Sequence, residues 1–279
     1  MVGAILHAIV IALLTLATQI GGIAYLLTFA IVQSVRKHLR PIGLVAPVVF
    51  LLSYVGLSVI SAYLAPLFGR VPLPCFSSEH LKLAMQSPLY CALNRHYVRP
   101  ELRSLALRLA ENMDQKYPGT VTLGLDANFP FIDGFPLLPH LSHDDGRKLD
   151  LAYFYQAPGG AYVRGETKSP IGYWAFETPA QDSALPCADR RDLLTMRWDM
   201  KWLRPFMREY DLEESRTRAA LDWLTSTGKQ AGVSKIFLEP HLVKKLNAQD
   251  EMVRFQGCRA ARHDDHIHLE MGRQLLAPN

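Results

Sequence analysis

The chain has 279 residues, with 30 Lys and Arg against 26 Asp and Glu and a formal charge of +4. That excess lies entirely in residues 1–70, where Arg36, Lys37, Arg40 and Arg70 stand without an acid; the first acid is Glu79, and residues 71–279 are neutral overall. A neutral body leaves no basic face for nucleic acid, and that partner class is excluded.

Two uncharged runs fill the first segment, Val2 to Gln33 and Ile42 to Phe68. About 20 apolar residues cross a bilayer, so the runs predict two transmembrane helices, about 3–33 and 42–68. A cleaved signal peptide would show a basic start and an apolar region of roughly 7–15 residues; the first run has neither. The short basic stretch "SVRKHLRP" between the runs predicts a cytoplasmic loop at 34–41. The N-terminus and everything after residue 70 are then expected on the outer side. Cleavage after "SAYLA" and two buried core helices of a soluble protein are the alternatives.

Residues 71–99 read as a connecting segment and 100–279 as one domain, large enough to bury its own core. All four cysteines lie beyond the second run. An even count on an oxidising side reads as two disulfides, although four cysteines allow three pairings. Cys75–Cys91 and Cys187–Cys258 are expected because the first pair is local.

Pro100 opens a helix with Leu102, Leu105, Ala106, Leu109 and Met113 at helical spacing, stopped by "YPG" at 117–119. "TVTLGLDAN" (120–128) and "KLDLAYFYQ" (148–156) read as strands, separated by the proline-punctuated loop "FPFIDGFPLLPHLSH". Residues 159–188 are rich in Gly, Pro and aromatics without a period, and long irregular loops of this kind are usually functional. Residues 189–210 look helical up to Pro205. A further helix is expected from 213 to Gly228, a buried strand in "VSKIFLEP", a short helix in "HLVKKLNAQ", and a last strand in "HDDHIHLE" (263–270). The fold class is α+β, with a small antiparallel sheet flanked by helices.

The last strand carries three of the ten histidines. With period two, His266, His268 and Glu270 share a face. Earlier, His143 and Asp150 stand seven apart across Gly146, where a chain reversal would bring them together. His140, His143, Asp150, His266 and His268 can therefore supply three N,N,O ligands. Zinc in catalytic sites takes three protein ligands and leaves one position open; water there ionises near pH 7. A His-x-His pair alone is a weak signal, and the strength lies in the joint occurrence. The "DD" pairs at 144–145 and 264–265 read as solvated turn acids. Arg147 and Lys148 read as solvated charges at the strand entry. In Tyr153, Phe154 and Tyr155 alternation puts one face in the core and the other along the cleft. Tyr173, Trp174 and Phe176 are candidates for a substrate wall.

"SHDDGRKLD" and the terminal "HIH" resemble the metal motifs of the lysostaphin, D-Ala-D-Ala peptidase and hedgehog group of zinc proteins. "PHLSH", the H-x-x-H-x-H of His263, His266 and His268, and "KIFLEPHLVKKL" resemble more closely the penicillin-insensitive murein endopeptidases, over about residues 120–271. Two membrane helices depart from that family's usual pattern. The resemblance implies that His143, Asp150 and His268 bind Zn2+, and that His266 moves a proton or stabilises the oxyanion. It makes His263 a neighbouring or substrate contact. In the carboxypeptidase branch a glutamate occupies the place of Asp265, which ranks behind His266 as the base. The expectation is a zinc peptidase anchored in a bacterial inner membrane, its catalytic domain on the periplasmic side, cutting peptidoglycan stem peptides or cross-links. A D-Ala-D-Ala carboxypeptidase or dipeptidase, and a zinc-containing binding module without turnover, are the alternatives.

Overall fold

Three apolar helices precede everything else: α1 (Val2–Thr18), α2 (Gly21–Val35) and α3 (Ile42–Leu64), the last running on as a 3-10 turn to Phe68. The structure is a computed structural model that describes residues 2–35, 42–179, 186–187, 190, 197 and 200–272. The first expected span, 3–33, is not one helix. Gln19 takes a left-handed backbone (φ 67°), and the Thr18 hydroxyl accepts the Gly21 N–H at 2.8 Å, capping α2 as it turns back. Gly21 and Gly22 permit the close return: a Cβ on them would lie 2.7 Å from the Leu14 carbonyl and 3.0 Å from that of Ile11. Farther along, His7 Nδ1 meets the Tyr25 hydroxyl at 2.6 Å, and its ring lies 5.1 Å from that of Phe29.

This antiparallel hairpin corrects two expectations. At 1.5 Å per residue α1 and α2 are about 26 and 23 Å long, short of the roughly 30 Å hydrocarbon core. Among the described residues one helix, Gly43–Phe68, is long and apolar enough to cross a membrane. The hairpin also returns the start of α1 alongside α2, with the tip and not the start of α1 at the domain, contrary to the expected placement of the N-terminus on the domain's side. Residues 36–41 of the basic loop fall outside the described residues.

The hairpin tip docks on the domain, with Thr18, Gln19 and Ile20 all buried. The Phe131 N–H donates to Gln19 Oε1 at 2.9 Å. Asn94 Nδ2 reaches the Tyr54 hydroxyl of α3 (3.2 Å) and the Thr18 carbonyl (3.5 Å), while Tyr54 donates to the Ala92 carbonyl at 2.5 Å.

In the domain, β1 (Val71–Pro72) pairs with β3 (Tyr97–Val98), and α4 (Pro88–Ala92) is tied by Cys75–Cys91. The second expected bridge, Cys187–Cys258, is also formed. Helix α5 (Pro100–Lys116) has proline in its first turn, where a missing N–H costs nothing. It buries Leu102, Leu105, Ala106, Leu109 and Met113 against the sheet, as the spacing predicts. The main sheet runs β2 (Leu83–Met85), β4 (Thr122–Gly124), β5 (Lys148–Ala152), β10 (His266–Met271), β8 (Val233–Phe237), β9 (Val253–Arg254). Its centre is antiparallel, but both edge pairs, β2–β4 and β8–β9, are parallel; the sheet is mixed and not purely antiparallel. The fold is α+β, as expected.

The expected strand 148–156 breaks after Ala152, and β6 (Tyr155–Gln156) pairs instead with β7 (Asp211–Leu212). Tyr153, Phe154 and Tyr155 are all buried, so no face of that run lines a cleft. Helix α6 (Glu214–Trp223) continues as a π turn to Gly228, and α7 covers Pro240–Lys245. Of the expected helix at 189–210, residues 189, 191–196, 198 and 199 lie outside the described residues; Lys201–Phe206 is a 3-10 turn.

Candidate metal centre

Asp150 and His268 meet because they are register partners on the two central strands, β5 and β10. Directly opposed residues of an antiparallel pair project to the same face. His143 arrives from the loop, and Gly146 makes the reversal with φ 78°. The Gly146 N–H donates to Asn128 Oδ1 (2.9 Å) and its carbonyl accepts the Arg99 N–H (2.8 Å). A Cβ at this position would come 2.6 Å from Nε of the buried Arg70, whose guanidinium is held by Asp133 and the Phe129 carbonyl.

Three potential ligand atoms converge. His143 Nε2 lies 3.2 Å from Asp150 Oδ1 and 3.2 Å from His268 Nδ1, and His268 Nδ1 lies 2.8 Å from the same Oδ1. With zinc bonds of about 2.0–2.1 Å, adjacent ligand atoms of a tetrahedron stand roughly 3.3 Å apart. The three spacings come close to this, and an N,N,O donor set suits a divalent metal. The three residues join two clusters of possible ligands, His140, His143 and Asp150 in one and His263, His266 and His268 in the other, the ligand atoms of each lying within 4.8 Å of one another. Of the far ring nitrogens, that of His143 has a hydrogen-bond partner and that of His268 has none among the described residues. His143 Nδ1 donates to the Ala127 carbonyl at 2.7 Å, leaving the Nε2 lone pair free. His268 Nε2 faces Glu270 Oε1 at 3.6 Å. Such outer contacts fix the tautomer and orientation of ligating imidazoles.

His266 stands beside the three. Its Nε2 is 3.6 Å from Asp150 Oδ1, and its Nδ1 is 2.5 Å from Asp265 Oδ1. The second oxygen of Asp265 accepts the Trp174 N–H. Asp265 thus sits behind His266 with both oxygens engaged. Burial lowers the pKa of His266, but Asp150 and Asp265 outweigh it and push the ring up to about 9. Burial alone would raise Asp150; the histidines His143, His266 and His268 around it hold its carboxyl well below the usual range. His263 is buried, its ring 5.0 Å from that of His266 and 5.8 Å from that of Phe237. Burial and the neighbouring imidazoles keep it well below its ordinary value, hence neutral.

The sequence reading missed a support on the other side of Asp150. Asp150 Oδ2 accepts the Tyr173 hydroxyl at 2.6 Å and lies 3.3 Å from His140 Nδ1. His140 Nδ1 is also 2.9 Å from Asp126, which Arg95 grips with two bonds of 2.6 and 2.7 Å. Tyr173, expected in a substrate wall, lines the adjoining cavity and is also a partner of Asp150. Arg95 and Asp126 are 31 residues apart, a separation that no local spacing reveals. The acid pairs also differ from expectation at 264–265: Asp264 is fully buried and gripped by Arg262, while Asp144 and Asp145 pair with Lys148 as turn acids do. Lys148 is therefore paired, and Arg147 donates to the Gly272 carbonyl. The third cluster of possible ligands, Cys75, Cys91 and His96, is spent in a disulfide.

His143, Asp150, His266 and His268 are each 2 % exposed or less. A cavity of about 170 Å³ adjoins them through His140 and Tyr173. Its walls include Leu89, Leu93, Ile171 and Trp174. Trp174, in a left-handed backbone (φ 68°), separates it from a second hollow of about 360 Å³ bordered by Lys168, Phe176, Glu177 and Arg262. Phe176 lies under the Arg262 guanidinium at 3.9 Å, and so serves packing as well as lining. No protein-family model matches the chain, and no curated protein matches it.

Proposed function

We propose that this chain is a zinc-dependent peptidase, anchored in a bacterial cytoplasmic membrane, that hydrolyses peptide bonds in peptidoglycan stem peptides or their cross-links on the outer side. The observation that carries the reading is the convergence of His143 Nε2, Asp150 Oδ1 and His268 Nδ1 with His266 Nε2 turned toward the same carboxylate. The motif resemblance supports the substrate, and the 26-residue apolar helix supports the anchor.

Zinc held by those three residues would polarise the scissile carbonyl and lower the pKa of water at the open position. The protein's own groups do the rest. Asp265 holds His266 in one tautomer through Nδ1, leaving Nε2 to take a proton from the attacking water and return it to the leaving amine. Asp265 is thereby a positioning residue and not the base. His263, buried and neutral, supports the His266 ring from the far side. Tyr173 and the Arg95–Asp126–His140 chain fix the Asp150 carboxylate so that Oδ1 faces the two imidazoles.

A second reading, a zinc-holding module without turnover, is favoured by the near-complete burial of the cluster. Metal content and cleavage of purified cross-linked muropeptides, read together on the full chain in detergent, separate the two. One zinc per chain with cleavage that vanishes in His266→Ala while zinc stays bound supports the peptidase. Zinc in both proteins without cleavage by wild type supports the module. No bound metal overturns both.

A further inference from the structure

The level at which the domain meets its anchor bears on what the cleft can reach. Tyr54 of α3 hydrogen-bonds Ala92 and Asn94, at the end of α4. Apolar helix continues from Tyr54 to Phe68, roughly 21 Å at 1.5 Å per residue. That upper half is not hidden by the domain: Val55, Val59 and Ile60 are about half exposed, and Tyr63 and Leu67 are 79 % and 81 % exposed. Below Tyr54, α3 offers only about 18 Å back to Ile42, far less than a hydrocarbon core. A bilayer thick enough to cover the apolar surface of α3 must therefore rise past the point where α4 is docked.

The domain's own surface agrees. Leu89 on α4 is 52 % exposed and forms a wall of the 170 Å³ cavity, and Leu93, at the other end of that helix, forms another. Phe76, next to the cysteine that ties α4, is exposed, as are Ile132, Leu138 and Leu141. Ile132 follows Phe131, which receives the hairpin tip and packs edge-on against Phe68 at 5.0 Å. Leu138 and Leu141 flank His140, which lines the cavity. Leu89, Leu93 and Ile171 line the cavity itself, and the exposed Leu138 and Leu141 lie within two residues of its lining residue His140, so apolar side chains border this end of the domain.

From the level of docking and this apolar border we infer that the cleft opens at the bilayer surface and takes a peptide tethered to the same membrane by its own lipid tail. The inference rests on the peptidase reading above for the reaction. The geometry assigns the lipid side to the wall of Leu89 and Leu93, and the peptide to the end where His140, Asp126 and Arg95 lie beside Asp150. A peptide free in solution would have to enter past lipid headgroups, whereas a tethered one is delivered along the surface at raised local concentration.

The test uses the full chain in nanodiscs. A fluorophore on an added cysteine, Leu89→Cys or Leu141→Cys, is quenched by lipids spin-labelled near the headgroup and, separately, by aqueous iodide. Leu67→Cys and Glu251→Cys serve as lipid and water references. Lipid quenching at 89 and 141 within about twofold of that at 67 is the expected result; quenching by iodide alone overturns the inference. Cleavage of one stem peptide, soluble or carrying an acyl chain in the same nanodisc, is then compared. An advantage of about tenfold or more in kcat/KM for the acylated form is expected, reduced in Ile132→Asp/Leu141→Asp with cleavage of the soluble peptide unchanged. Equal cleavage of both forms overturns the substrate class while leaving the peptidase intact. If neither is cleaved, the peptidase reading fails, and preference is read from binding: equal affinity for the two peptides overturns this inference as well.

Discussion

His268 and Asp150 face each other across β10 and β5, with Nδ1 2.8 Å from Oδ1. The proposed metal site, built on a cross-strand pair, inherits the rigidity of the sheet centre, and only the third proposed ligand, His143, depends on a loop. The ligand set can therefore be taken apart residue by residue.

Removing one ligand leaves two buried groups facing each other without the cation between them. His143→Ala, Asp150→Asn and His268→Ala are each expected to weaken zinc binding by at least about 100-fold, the upper end of what loss of an outer contact alone costs. Competition with a chromophoric chelator measures it. Retention of wild-type affinity in any one of the three would remove that residue from the site.

His266→Ala is expected to keep zinc and lose about 10²–10⁴ in turnover, the usual worth of a positioned acid–base group. Asp265→Asn, which disturbs only the hold on Nδ1, should lose less and change the pH profile more. In metal-free protein His266 is pushed up to about 9 against burial, chiefly by Asp150 and Asp265. A divalent cation on Asp150 offsets the first of these, so loading with zinc should lower the His266 pKa. Imidazole NMR titration with and without chelator reads this shift, and an unchanged pKa would disconnect His266 from the metal.

His96 is buried against Tyr97, and burial pushes its pKa down to about 4, partly opposed by a hydrogen bond with the backbone of Tyr90. Its folded pKa lies below the unfolded value near 6.5, so its stabilising effect is complete above about 6.5. It is lost as pH falls through about 4. A depression of this size corresponds to roughly 3 kcal/mol at most. His96→Phe should flatten the fall in denaturation midpoint between pH 7 and 4.5. The same slope in both proteins would show that acid sensitivity originates elsewhere.

Gly146 combines φ 78° with contact against Arg70, whereas Gly134 has φ 77° and nothing within 4 Å of an added Cβ. Gly134→Ala should cost about 1 kcal/mol for the backbone alone. Gly146→Ala should cost about 1–3 kcal/mol more for overpacking, and should weaken zinc binding because the turn sets the approach of His143 to Asp150. Equal denaturation midpoints for the two variants would mean that Arg70 yields freely.

The elements that carry the proposed ligands were legible because their signals are local. His-x-His on one strand face, a glycine midway between His143 and Asp150, and the amphipathic α5 each lie within a short window. What escaped the sequence lies outside any window. Asp126 and Arg95 clamp each other from separate segments, and Tyr173 reaches Asp150 from an irregular loop. The parallel edges of the sheet arise from long crossovers that periodicity does not encode. The hairpin escaped for another reason: Gln19-Ile20-Gly21-Gly22 contains no charge and no proline, so hydropathy alone reads straight through a turn that a left-handed Gln19 and two glycines make.

That turn also sets an order of assembly. On the proposed topology the hairpin carries no charge, so its tip can enter the bilayer without moving an ion across. Yet Gln19 has its partner in Phe131 and Thr18 in Asn94, residues synthesised much later and, on that topology, delivered only once the domain is exported. Until then the tip holds a polar amide without its mate, and the newborn anchor is incomplete. Completion of the domain is the event that locks the anchor, so a chain truncated before residue 131 should insert and yet remain open to membrane quality-control proteolysis.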